Sequence, residues 1–361
     1  MVFKGFFQRR ESLISLDIGA RSVKCMQVKR DGTRVQVQKV SSTRLSESPF
    51  TNQMVTNSHL LAEAIERVIV QDMLRDSEEE YPRVVLSVPG PAVFTKKLKM
   101  AQLPYRELVE NVRREAANFI PHNIEAVKLD FHILGEVGKH QYEILVVAVK
   151  SEVVEALRTT LSSIGLKPAI IDADYFALQN IFEYSYPELR SSTIALVDLG
   201  ARYSIVNIVN LGKSLFVGDI STGTETIADT LEEVHKITIS RGDNWLEDSE
   251  QMAPIEHAVR SEAMKLAREF NRQLSFFWSA AGAEQRIEKI VLSGEAAVLP
   301  GFVEALEEIT EIPCQPIEPF RKIDIHSGLK REELERMGPQ LSIACGLSLR
   351  ELGDRIMPGS L

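Results

Sequence analysis

Residues 12–28 read SLISLDIGARSVKCMQV, and residues 193–209 read TIALVDLGARYSIVNIV. In each, an apolar run of strand length stops at an Asp, a turn of the form Asp-(apolar)-Gly-Ala-Arg follows, and a second strand resumes. After the first copy, Lys29-Arg30-Asp31-Gly32 offers an Asp-Gly hairpin turn, and residues 33–40 alternate as a third strand. After the second, Asn210-Leu211-Gly212-Lys213 turns and residues 214–217 form the next strand. Asp17 and Asp198 stand half the chain apart. A whole strand–turn–strand–turn–strand unit therefore recurs once, which is the mark of a duplicated domain rather than a short-repeat array.

Outward from these two markers, strands and helices alternate. Residues 54–74 carry helical apolar spacing, and residues 76–80 are a charged loop. A strand over 83–88 ends at Pro89-Gly90-Pro91, and an amphipathic helix over 105–119 stops before Pro121. Two strands at 128–134 and 142–149 pair, a helix over 152–164 closes at Gly165, and a strand at 168–171 precedes a helix at 175–182. The block at about 93–165 reads as an inserted subdomain. In the second half, helices are expected over 224–236, 254–281, 301–310 and 339–352, with a strand at 287–292 running into Ser293-Gly294-Glu295-Ala296-Ala297. The expected organisation is an α/β duplication with a first domain over 1–190, a second over 191–335, and a C-terminal helix within 336–361 that returns to the first.

Bulk properties agree with this reading. A chain of 361 residues, 44% hydrophobic and 26% charged, suits two α/β domains with sizeable cores. A net charge of −9 argues against a protein that coats nucleic acid. The three cysteines, Cys25, Cys314 and Cys345, match no zinc spacing and read as buried free thiols, and the seven histidines form no HxxxH pair. No run approaches the roughly 18 apolar residues a membrane span needs. The opening MVFKGFFQRRE lacks the apolar core of a signal peptide. Its Phe3, Lys4, Phe6, Phe7, Arg9 and Arg10 read as a frayed terminus, with contact to a membrane or partner as the alternative.

The Asp-x-Gly turn has a chemical use. Gly lets backbone approach a phosphate closely, successive N–H groups and a Ser hydroxyl cradle its oxygens, and the Asp holds waters of a bound Mg²⁺. One such turn is weak evidence, but two in matching contexts, facing each other, would clamp a triphosphate from both sides. Competing motifs fail. Gly212-Lys213-Ser214 resembles the end of a Walker A loop, but the position of the first Gly is Asn207 and no helix follows. There is no GxGxxG after a strand and no GxSxG.

At these residues the chain resembles the type IV pilus assembly PilM family, relatives of the cell-division protein FtsA in the actin superfamily. The resemblance covers nearly the whole chain. It rests on ISLDIGARSVK (14–24), EAANFIPHNIEAVKLDFHIL (115–134), IIDADYFALQNIF (170–182), VDLGARYSIVNIV (197–209), IVLSGEAAVLPGF (290–302) and ACGLSLR (344–350). It implies an actin-like, ribonuclease-H-like fold around a central cleft, with an inserted FtsA-type subdomain. It implies that ATP and Mg²⁺ bind there, with Asp17, Gly19, Ala20, Arg21, Ser22 and Lys24 as the first phosphate loop. Asp198, Gly200, Ala201, Arg202 and Ser204 form the second loop, with Gly223 beyond the second hairpin and Gly294 and Glu295 at the adenosine loop. Asp17 and Asp198 would hold Mg²⁺ through water, and Asp174 would sit near an attacking water. A groove by the inserted subdomain would receive the short cytoplasmic N-terminal peptide of the inner-membrane protein PilN, with Phe119 and Pro121 lining it. The expected role is a cytoplasmic scaffold, peripheral at the inner membrane through its partner, that relays the state of pilus motor components.

The chain departs from the family pattern on the adenosine side. Gly294 is followed by Glu295-Ala296 instead of a Gly-rich run, Gly223-Thr224 replaces Gly-Gly, and Gly242-Asp243-Asn244-Trp245-Leu246 stands where a ribose-binding Lys is usual. Weak or absent nucleotide turnover is therefore expected, since a carboxylate there repels phosphate. Rival readings are a kinase or ATPase of the same superfamily, a filament-forming division protein, and the cytoplasmic domain of a type II secretion protein, which continues into a transmembrane helix not found here before Leu361. Residue by residue, Arg21 and Arg202 read equally as phosphate contacts or as partners of carboxylates. Glu115 reads as a solvated helix charge, Phe119 and Pro121 equally as core, and Phe276, Phe277 and Trp278 as helix packing.

Overall fold

Strand β1 (Leu13–Ile18) is buried along almost its whole length, as its apolar composition dictates for a central strand. The structure is a computed structural model of the chain and is described over residues 13–74, 82–121, 123–239, 253–281 and 286–352. β2 (Ser22–Asp31) returns antiparallel to β1, and β3 (Arg34–Arg44) returns antiparallel to β2. A two-residue pair, β4 (Phe50–Thr51) and β5 (Met54–Val55), precedes helix α1 (Ser58–Ile65). β6 (Arg83–Val88) and later β10 (Lys167–Ala173) add in parallel on the other side of β1. The first sheet thus runs third, second, first, fourth, fifth, with a short β16 (Asp324–Ile325) on the outer edge of β3.

The second half repeats this order. β11 (Ile194–Leu199), β12 (Ser204–Asn210) and β13 (Lys213–Ile220) form the antiparallel meander, and β14 (Lys289–Gly294) and β15 (Cys314–Pro316) extend it in parallel. Two sheets with one topology and one chain direction make the actin-like, ribonuclease-H-like duplication. A third sheet lies apart, with β9 (Gln141–Lys150) between β7 (Val93–Ala101) and β8 (Val127–Glu136), all antiparallel. Helix α2 (Tyr105–Ala116) packs Leu108, Val112 and Ala116 onto Ile144, Val146 and Ala148 of this sheet, a core separate from the others.

The remaining helices complete the layers. α3 (Ser151–Ser163) puts Val153, Leu157 and Leu161 into the first-sheet core with Leu61, Ile65 and Leu86. The helix expected inside the inserted block therefore packs on the first sheet, and the separately packed unit spans 93–150. α4 (Asp174–Ser185) supplies Leu178, Ile181 and Phe182 to a core shared with Met26 and Val37 of the first sheet and Ile194, Leu196 and Val209 of the second. α5 (Thr224–Glu233), α6 (Glu256–Ala281) and α7 (Phe302–Thr310) cover the second sheet, with Phe270 and Phe302 edge-on at 5.5 Å. α8 (Arg331–Arg336) leads to α9 (Ser342–Ser348), which lies against α4 and β1. Gly346 of α9 is pressed onto Ala177 of α4 so closely that a Cβ would sit 1.7 Å from the Ala177 carbonyl oxygen.

Several boundaries differ from expectation, each for a local reason. The helix expected from 54 starts at Ser58, where the Asn57 side chain caps the Leu60 N–H at 3.1 Å, and it continues past Ile65 as a π-helical stretch to Met73. The helix expected over 224–236 ends at Glu233, and the one expected over 339–352 is a 3₁₀ turn followed by α9 alone. Of the three aromatics on α6, Phe277 is buried, but Phe276 is 53% exposed. The terminal aromatic and basic residues, the acidic run at 78–80 and the segment 242–246 lie outside the described residues. Among the described residues, no helix is long and apolar enough to cross a membrane, and all three cysteines are free thiols.

Candidate functional site

The duplicated turns close in the same way. Gly19 N–H donates to the Ser22 carbonyl at 2.9 Å, and Gly200 N–H donates to the Tyr203 carbonyl at 3.1 Å. Each turn hangs from the end of a central strand, so Asp17 and Asp198 hold equivalent places at the ends of β1 and β11. A cleft of about 390 Å³ lies between the turns, a volume within the small-ligand range. Its walls include Asp17, Gly19, Ala20, Arg21, Ser22 and Lys24 on one side, and Asp198, Gly200, Ala201, Arg202 and Tyr203 on the other. Asp174, Gly294 and Glu295 also line it.

Two expected residues sit elsewhere. Ser204 is buried under the turn and donates to the Thr222 carbonyl at 2.7 Å. The residue that lines the cleft opposite Ser22 is Tyr203, because the turns have equal length and β12 begins one residue later in the Ser-to-Ser alignment. Gly223 lies behind the second turn. A Cβ there would come within 2.3 Å of the Ala201 carbonyl oxygen, so only glycine lets α5 abut the turn.

Three carboxylates of the cleft act on Lys24. Lys24 stands across β1 from Asp17 and its Nζ donates to Asp17 Oδ2 at 3.1 Å, whereas the equivalent place on β12 is the apolar Ile205. Burial pulls the Lys24 ammonium down, but Asp17, Asp198 and Glu295 outweigh it and hold its pKa above the ordinary value. Asp198 is pushed up to about 6 by burial, opposed by the Ser293 hydroxyl, which donates to its Oδ1 at 2.8 Å, and by Lys24. Burial likewise raises Glu295, whose carboxylate is drawn to the Thr224 hydroxyl at the start of α5. Gly294, at φ +67°, sets the turn that places Glu295, and a Cβ there would collide with the Leu199 carbonyl.

Asp174 opens α4 and is held by three donors. Ser87 Oγ donates to Oδ1 at 2.6 Å, while Gly90 N–H and the Tyr203 hydroxyl donate to Oδ2 at 3.2 and 2.9 Å. Burial and the nearby Asp17 push its carboxyl up to about 7 in spite of these bonds. Among the described residues, no three His, Cys, Asp or Glu side chains lie close enough to hold a metal ion.

On the separately packed unit, Phe119 stacks on Phe94 at 5.8 Å under the Lys96 ammonium, and Pro121 is exposed. Tyr105 and Val109, one turn apart on α2, are 43% and 38% exposed, with Tyr105 stacked on Phe131. The helical spacing of α2 marks these two positions as a face, but composition alone does not single them out. This unit is braced on the second half, where Lys97 Nζ donates to the Leu215 carbonyl of β13 at 2.9 Å.

The profile of the Type IV pilus assembly protein PilM family matches residues 15–352. The chain belongs to this family. It is a type IV pilus assembly protein of actin-like fold. A solved structure described as a PilM-PilN type IV pilus biogenesis complex superposes with a TM-score of 0.81 at 24% identity, covering 94% of this chain and 98% of that one. The ethanolamine utilization protein EutJ from Carboxydothermus hydrogenoformans superposes with a TM-score of 0.56 at 14% identity, covering 94% and 89%. At these identities both likenesses speak to the fold.

Proposed function

We propose that the chain is a cytoplasmic scaffold, peripheral at the inner membrane, whose cleft takes ATP with Mg²⁺ and whose inserted unit docks the N-terminal cytoplasmic peptide of a bitopic PilN-like protein. The observation that carries the nucleotide half is the convergence of two equivalent Asp-x-Gly turns on one cleft with Lys24 between their carboxylates. The Gly19 and Gly200 turns, with Lys24, would hold the phosphates, and Asp17 and Asp198 would hold waters of the cation. The peptide half is supported by membership of the PilM family and by the likeness to a complex in which PilM is paired with PilN. Phe119, Pro121, Tyr105 and Val109 offer the apolar contacts.

Turnover is expected to be slow or absent. Glu295 adds a carboxylate at the adenosine end of the cleft, which repels the phosphate chain. Calorimetric titration with ATP and Mg²⁺ is expected to show binding, with no steady phosphate release. Immobilised N-terminal peptides of candidate membrane partners are expected to retain the wild-type chain and to lose most retention with Phe119→Ala. Absence of ATP binding, or peptide retention indifferent to Phe119→Ala, would refute the corresponding half, and rapid steady hydrolysis would refute slow turnover.

A further inference from the structure

Arg21 and Arg202 occupy the same place in the two duplicated turns, and both reach a single carboxylate. That carboxylate is Glu225, at the second position of α5. Arg21 pairs with its Oε1, and Arg202 Nε donates to its Oε2 at 2.8 Å. Glu225 is 14% exposed at its side chain, and its backbone is tied to the second half. Its own N–H donates to the Ala201 carbonyl at 2.8 Å, and Thr224 N–H donates to the Gly200 carbonyl at 3.1 Å. The first amides of α5, which would otherwise attract an anion, are thus occupied by the turn behind the cleft. What α5 presents to the two arginines is an anionic side chain. Arg21 is the one member of this set that comes from the first half, and it is tied there through the Ser46 carbonyl and through Leu45 N–H, which donates to the Arg21 carbonyl at 2.9 Å.

We propose that Glu225 is a latch that joins the halves across the cleft, occupying the arginine pair that a phosphate group would otherwise engage. A guanidinium recognises carboxylate and phosphate through the same fork of N–H donors, so the two compete for one place. An entering phosphate ester displaces Glu225, frees Arg21 from α5, and so couples cleft occupancy to the angle between the halves. The competition rests on the nucleotide reading of the cleft, whereas the latch itself does not.

Glu225→Gln keeps the size of the side chain and removes its charge. Two measurements on the full-length chain, with and without ATP and Mg²⁺, test the proposal. Amide hydrogen exchange over residues 18–22 and 200–203 is expected to be several-fold faster in the variant without nucleotide. Calorimetry is expected to give roughly fivefold tighter ATP binding, the scale of one partly exposed ion pair. Thermal unfolding of the variant reports that it is folded, and Glu225→Asp, which keeps the charge but is one methylene too short to span both arginines, should speed exchange in the same regions. Unchanged exchange in both variants overturns the latch. Faster exchange with equal or weaker ATP binding overturns the competition. Faster exchange with no ATP binding by either wild type or variant supports the latch and overturns the nucleotide reading.

Discussion

Asp174 shows how burial can override a favourable hydrogen-bond set. Three donors would lower its pKa, yet desolvation and Asp17 lift it to about 7 from an ordinary 3.8. As pH rises from about 4 to 7, the unfolded chain releases this proton first, so the folded state is progressively weakened, and the full penalty remains above pH 7. Asp198, pushed up to about 6, acts in the same direction over a narrower window. Asp174→Asn is expected to flatten most of this decline while leaving the Asp198 portion, read as urea unfolding midpoints at pH 5 and pH 8. A variant whose midpoints fall with pH as steeply as wild type would refute the assignment. With the new amide in place of Oδ1 the Ser87 hydroxyl can rotate to accept from it, while the remaining oxygen still accepts from the Gly90 N–H and the Tyr203 hydroxyl, which keeps the site paired.

At the scale of elements, the unit of β7, β8, β9 and α2 has a core of its own, and it should open on its own. Leu108→Ala removes a buried side chain from that core and is expected to cost about 3 kcal/mol there. Hydrogen exchange should rise across 93–150, peptide retention should fall, and ATP titration should be unchanged; a uniform rise across the whole chain would refute independent opening. The duplicated hairpins are legible in the sequence because each carries its signal within a few residues: apolar strand, Asp-x-Gly, and a turn. The pairing of Asp17 with Asp198 is legible for the same reason, whereas Lys24 enters only through the family resemblance. Glu225 is not, because one Glu of three in the run TETIADTLEE has no motif, and its meaning arises only when α5 abuts the second turn. Ser204 stands out in the sequence in place of Tyr203 because matching residue types hide a one-residue offset that strand register decides. The packing of α3 is equally hidden, since its apolar stripe states that it is buried but not against which sheet.

The whole molecule is joined through its middle and its end. α4 serves the cores of both sheets, and α9 lies on α4 and β1 with no space at Gly346. Gly346→Ala must drive α9 away from Ala177, and a loss of about 3 kcal/mol in unfolding free energy is expected, measured by urea denaturation; a midpoint within error of wild type would show that the contact yields freely. The same packing sets an order of events during synthesis. β1 leaves the ribosome well before its covering helix α9 and the edge strand β16. An early sheet must therefore wait, part of its apolar surface uncovered, while the second half is translated. Nascent chains halted before residue 340 are expected to hold chaperones and to resist release, and the advantage normally given by one-domain-at-a-time folding is forfeited.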